Sequence, residues 1–79
     1  MSFISEIKQQ REFQKERYTQ KLHEYIKDTI NKHIREYPYS NECCILYINY
    51  IPDMIKQFLI TNELKIIHES DIAVTIELP

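Results

Sequence analysis

Apolar positions in the first half of the chain recur at helical spacing. At 100° per residue Ile4, Ile7, Tyr18, Leu22, Tyr25, Ile26, Thr29, Ile30, His33 and Tyr37 fall on one broad face. No Pro or Gly interrupts residues 2–37, good helix formers dominate, and Ser2 offers an N-cap oxygen. Pro38 ends the helix, because a residue before proline is pushed out of the α region. Glu12 with Lys15, Glu24 with Lys27 and Asp28 with Lys32 have the spacing of weakly supporting ion pairs. Between Ile7 and Tyr18 the apolar face is taken over by Lys8, Arg11 and Lys15. The pattern therefore predicts one domain, 1–79, in two parts: a projecting helical arm over 1–17 and a compact core over 18–79. Whether the helix runs unbroken through 8–17 is left open by the pattern.

Beyond Pro38 the period changes. Residues 42–51 are apolar on both faces and rich in β-branched and aromatic types, which predicts a buried strand. Pro52 suits the first turn of a helix with Asp53 beside its positive end, and Met54, Ile55, Phe58 and Leu59 form its stripe as far as about Asn62. Residues 65–69 and 72–78 read as two further strands around a Ser70-Asp71 turn. In the last, Ile72, Val74, Ile76 and Leu78 point one way and Ala73, Thr75 and Glu77 the other. The order is α-β-α-β-β, an α+β fold. A right-handed crossover makes the first two strands parallel, and the last slots between them antiparallel to both, giving sheet order 1-3-2 with both helices on one face. The opposite face, centred on Thr75 and Glu77, is either wet or a partner surface.

Composition adds constraints. The chain has no glycine, so turns fall to Asn41, Asn62, Ser70 and Asp71. With 43% hydrophobic and 28% charged residues it is a folding chain, not a disordered one. At 79 residues its core is near the lower limit for independent stability, which makes outside support expected. Ile, Lys, Asn, Tyr, Phe and Met supply 36 residues and Gly, Ala, Arg and Pro only seven, a bias that points to an AT-rich coding source such as large DNA viruses, their parasites and some phages. Apolar runs fall short of the ~20 residues of a membrane helix, and the first residues lack the layout of a secretory signal. Adjacent Cys43 and Cys44 would sit on opposite sides of a strand and build no disulfide framework, so a reducing, cytoplasmic compartment is expected.

The leading helix followed by Cys44-Ile45-Leu46-Tyr47-Ile48, Ile51-Pro52 opening a helix, Leu64-Lys65-Ile66-Ile67 and a closing Ile-x-Val-x-Ile-x-Leu strand resembles small phage and large-DNA-virus proteins of unassigned function. The resemblance spans the whole chain. It departs from those proteins in lacking a Gly before the second strand and a Trp at the end, and no functional residue carries over.

Chemistry-bearing residues are sparse. His23, His33 and His68 with the two cysteines show no C-x2-C or H-x3-H spacing, so no metal and no cofactor is expected. A cysteine within an apolar strand has its thiolate disfavoured, so both read as buried small hydrophobes and not nucleophiles. Glu69 and Asp71 lie at a turn, and neither a phosphate loop nor a nucleophile elbow can be built without glycine. No catalytic residue and no small-molecule substrate are assigned.

Two surfaces remain. Residues 1–36 carry eight Lys and Arg against six Asp and Glu, whereas 37–79 carry two against six, leaving a basic arm and an acidic body. Lys8, Arg11 and Lys15, with Arg17 and Lys21 nearby, are the candidate nucleic-acid contacts, and Tyr18 is available to stack. Interleaved Glu12 and Glu16 and a pI of 5.9 weigh against that reading. The other surface is the apolar tip. A helix of ~35 residues is ~50 Å long, whereas a compact domain of this size spans ~25 Å. Phe3, Ile4 and Ile7 would thus stay wet in a monomer unless the helix broke or folded back; a symmetric dimer using Phe3, Ile4, Ile7, Tyr18 and Leu22 is the expected solution, and a frayed N-terminus of about 10–15 residues the alternative. The functional expectation is a non-enzymatic, homodimeric interaction protein, a viral accessory or host-defence modulator binding an unidentified protein. The alternatives are a small DNA-binding regulator presenting the basic helix, and a structural or assembly component.

Overall fold

The computed structural model describes residues 2–79. Helix α1 runs without a break over Phe3–Glu36, which settles the continuity of 8–17. Ser2 caps it, its hydroxyl accepting the Ser5 N–H at 3.2 Å. At the other end Tyr37 has left the helical region, and its N–H still donates to the His33 carbonyl at 2.8 Å. His33 and Arg35 place positive or polarizable side chains where the helix dipole is negative. Of the three ion pairs suggested by spacing, Lys15 with Glu12 closes, at 3.4 Å.

Strand β1 (Glu42–Leu46), helix α2 (Pro52–Thr61), and strands β2 (Lys65–Glu69) and β3 (Ala73–Glu77) complete the α+β fold. The sheet order is β1-β3-β2, with β3 antiparallel to both neighbours. Helix α1 packs over β1 and α2 over β2 on the same face, so the core lies in one layer between helices and sheet. Leu22 and Ile26 from α1, Ile55 and Leu59 from α2, and Cys43, Ile45, Val74 and Ile76 from the sheet are its fully buried members. Among the described residues no polar or charged residue is buried.

Three expectations are corrected. First, the strand expected over 42–51 stops at Leu46, and residues 47–50 form a turn in which Tyr50 N–H donates to the Tyr47 carbonyl at 2.9 Å. The chain must reverse there for α2 to lie back across the sheet, and β3 has no residue beyond Ile72 with which to continue the ladder. Second, β1 is not buried on both faces. Cys43 and Ile45 point into the core, whereas Glu42, Cys44 and Leu46 are exposed, because the helices cover one face only. Cys44 is therefore no buried hydrophobe, while Cys43 is; burial, with Cys44 adjacent, holds the Cys43 thiol above its ordinary pKa. Third, Ile72 precedes β3 and is exposed, although Val74 and Ile76 face the core as expected.

The turns also differ from expectation. Positive φ falls at Ile48 (47°) and Glu63 (61°), not at an Asn or Asp. Glu63 follows the α2 cap Asn62 and closes a Schellman motif, with its N–H on the Ile60 carbonyl and the Leu64 N–H on the Leu59 carbonyl. Asn62 instead turns its side-chain amide back to the Phe58 carbonyl at 2.8 Å. The Ser70-Asp71 turn forms where expected, Ser70 Oγ accepting from the Ala73 N–H at 3.2 Å.

Both sheet edges are blunted, which limits strand-to-strand pairing with other chains. Tyr47 N–H bonds to the Ile72 carbonyl, so the backbone groups of Glu42, Cys44 and Leu46 point outward. Ser40 Oγ donates to the Glu42 carbonyl at 2.9 Å, and Tyr25 Oη donates to the Leu46 carbonyl at 2.7 Å. On the opposite edge a bulge at Ile67, between Ile66 and His68, breaks the ladder of β2.

Candidate interaction surface

The molecule measures 56 × 23 × 21 Å, and the long dimension is α1. From Phe3 to Arg17 no residue of the helix is buried. This arm presents Phe3, Ile4 and Ile7 at 74%, 64% and 42% exposure. From Ile7 onward Gln10, Arg11, Gln14 and Lys15 follow on the same side of the arm, and with Ile7 they line a shallow groove bounded by the helix alone.

The arm is rooted by tyrosines. Tyr18 Oη accepts the Ile51 N–H at 2.7 Å, and its ring sits 5.6 Å from that of Tyr50, which in turn stacks on Tyr25 at 5.1 Å. Tyr25 anchors the next turn through its bond to Leu46. These contacts fix where the helix leaves the body, at the end of the sheet where β1 finishes and α2 begins. Burial raises the Tyr25 pKa above its ordinary value, and only the neutral phenol can donate to Leu46. The folded state thus favours the protonated form. The stability that this contributes is complete below the unfolded tyrosine pKa of ~10 and is lost as pH rises through the higher folded value. In an ultraviolet phenolate titration of the native protein, Tyr25→Phe is expected to remove a tyrosine that titrates above the ordinary phenol range; an unchanged profile would count against the bond.

The residues expected to form the dimer interface divide. Phe3, Ile4 and Ile7 lie together and exposed at the tip. Tyr18 is half-buried against the body and Leu22 is wholly inside it, so neither is free to meet a second copy. The correction has a simple cause: α2 and the 47–51 turn reach Tyr18, and from there the chain's own sheet covers the apolar face. The candidate nucleic-acid contacts Lys8, Arg11, Lys15, Arg17 and Lys21 are all exposed but do not form one stripe. Lys8, Arg11 and Lys15 share a face, whereas Arg17 lies about 200° around from Lys15 and Lys21 about 120°. Lys15 is engaged by Glu12 at 3.4 Å, and the Arg17 guanidinium lies 5.8 Å from the centre of the Phe13 ring.

Sequence reasoning passed over the apolar residues at the arm's root. Ile48, Ile51 and Ile72 are exposed at 62%, 52% and 70%. The only signal was Asn49, whose turn preference would have ended the strand early and turned its last residues outward. Two of the three histidines are engaged within the fold: His23 lies 4.4 Å from the Phe58 ring, and His33 Nε2 is 3.1 Å from Ser40 Oγ, whereas His68 is exposed on β2. Among the described residues no three His, Cys, Asp or Glu side chains are placed to share a metal ion, and no helix is long and apolar enough to cross a membrane. No protein-family model, no curated protein and no solved structure matches this chain, so its function is argued from its own residues.

Proposed function

We propose that this chain is a non-enzymatic interaction protein that pairs with a second copy of itself and acts by binding another macromolecule. The observation that carries this reading is the exposed apolar tip on an unbroken helix. Among the described residues no part of the sheet or of α2 reaches Phe3, Ile4 and Ile7, because the unbroken helix holds them ~20 Å beyond the root at Tyr18. Water contact with three large apolar side chains costs more than an isolated surface leucine would, and association is the route to covering them. The compositional bias supports the further reading of a viral accessory or host-defence modulator. The DNA-binding alternative is less well supported, because the basic side chains are spread around the arm and alternate with Glu12 and Glu16.

Sedimentation of the full chain and of Ile4→Ser/Ile7→Ser tests the homodimer. The unsubstituted chain is expected at twice the chain mass at micromolar concentration. The double variant should show the same circular dichroism per residue and a dissociation constant weakened by at least ~100-fold, since each isoleucine is worth ~1.5–3 kcal/mol when fully buried. A full chain that stays at monomer mass throughout would refute it.

A further inference from the structure

The two ends of the arm have the same character. At the tip stand Phe3, Ile4 and Ile7; at the root stand Ile48, Ile51 and Ile72, equally exposed. Three bonds place the second group. Ile51 donates its N–H to Tyr18 at 2.7 Å, Ile48 belongs to the turn closed by Tyr50 and Tyr47 at 2.9 Å, and the Ile72 carbonyl accepts the Tyr47 N–H at 2.9 Å. Ile4 and Tyr18 are fourteen residues apart, about 21 Å along the axis and within about 40° of the same face. Tip and root thus face the same side of the helix, separated by the polar stretch between Ile7 and Tyr18, about 16 Å along the axis.

Building on the homodimer reading, we infer that the second copy lies antiparallel along the arm, so that the tip of each chain seats on the root patch of the other. A two-fold axis near Gln10 and Arg11 exchanges the two ends, and one chain carries both halves of a self-complementary contact. The six side chains expose on the order of 600 Å² per chain, comparable with the ~800 Å² per partner of a standard interface. The same arrangement accounts for the polar middle of the arm. Gln10, Arg11 and Gln14 sit at the axis, where contacts at both ends hold the helices and water can remain between them. A parallel, in-register pair would instead set Lys8, Arg11 and Lys15 each beside its own copy, three like-charge contacts against the one that Arg11 makes at the two-fold axis, and would leave Ile48, Ile51 and Ile72 uncovered.

Disulfide trapping distinguishes the arrangements. Ile4→Cys and Ile51→Cys are made separately in a Cys44→Ser background, one of them isotopically heavy, then mixed and oxidised. A covalent dimer containing one light and one heavy chain is expected within minutes, and either variant alone should cross-link much more slowly. Within one chain the two positions are too far apart for a disulfide, which needs Cα atoms within about 7 Å. Rapid cross-linking of Ile4→Cys with itself would overturn the antiparallel seat, as would a protein that sediments as a dimer yet traps no mixed species. Both outcomes leave the homodimer standing. A monomeric full chain would remove both.

Discussion

Leu22→Ala is expected to cost about 2–4 kcal/mol of folding stability, most of what a domain of this size has. Leu22 has no exposure and lies where α1 meets the sheet, packed in one cluster with Ile26, Ile45 and Val74. Removing its branched end loses the transfer energy of three carbons and leaves a cavity that neighbours on rigid elements cannot fill. The comparison that gives this meaning is Ile4→Ala, which removes a similar amount of hydrocarbon from the same helix. Ile4 lies outside the core and is largely exposed, so the stability of the monomer should move by less than about 0.5 kcal/mol. Urea unfolding of both variants, read at the same protein concentration with and without the tip intact, separates the effects. A loss below 1 kcal/mol for Leu22→Ala would mean that the middle of α1 is not part of the core.

Glycine introduced at either left-handed position is expected to stabilise the protein, by up to about 1 kcal/mol at Ile48 and by less at Glu63. An L-residue with a Cβ is penalised by ~1–2 kcal/mol in that region, and a β-branched one is the least suited. Glu63→Gly keeps both Schellman hydrogen bonds, which use backbone groups only, and removes an exposed side chain. The extra freedom of glycine in the unfolded chain takes back ~0.5–1 kcal/mol, so the gain at Glu63 is the smaller. Ile48 has more strain to release at φ 47°, and at 62% exposure little packing to lose. Because Ile48 also belongs to the root patch, Ile48→Gly is measured in the Ile4→Ser/Ile7→Ser background, where pairing does not enter. Ile48→Ala is the control: it removes the β-branch but keeps the Cβ, and should yield a smaller gain than glycine. Equal midpoints for the alanine and glycine variants would contradict a backbone origin.

Strain at these two points reflects a chain with no glycine at all. Such a chain must still reverse after β1 and leave α2, and the geometry of each reversal is set by the elements on either side. Residue preference pointed to Asn41, Asn62, Ser70 and Asp71, and each lies at a bend, cap or turn, with Asn41 in the bend before β1. Positive φ fell where the chain needed it, on residues that do not favour it.

The primary structure by itself determined the elements and their arrangement. Period 3.6 up to Tyr37, Pro38 and Pro52 as boundaries, and period 2 in the last strand are local properties, expressed through backbone sterics and the alternation of side chains. Strand order followed from crossover handedness and the shortness of the β2–β3 turn. What only the tertiary structure decided was which apolar residues are covered. Cys43 and Cys44 differ in one thing, the face of β1 they occupy, and both helices happen to lie on one side. Tyr18 and Leu22 continue the same helical stripe as Ile4 and Ile7, yet they are inside because α2 and the 47–51 turn extend far enough to meet them. Burial depends on where distant parts of the chain end, and no local pattern carries that information.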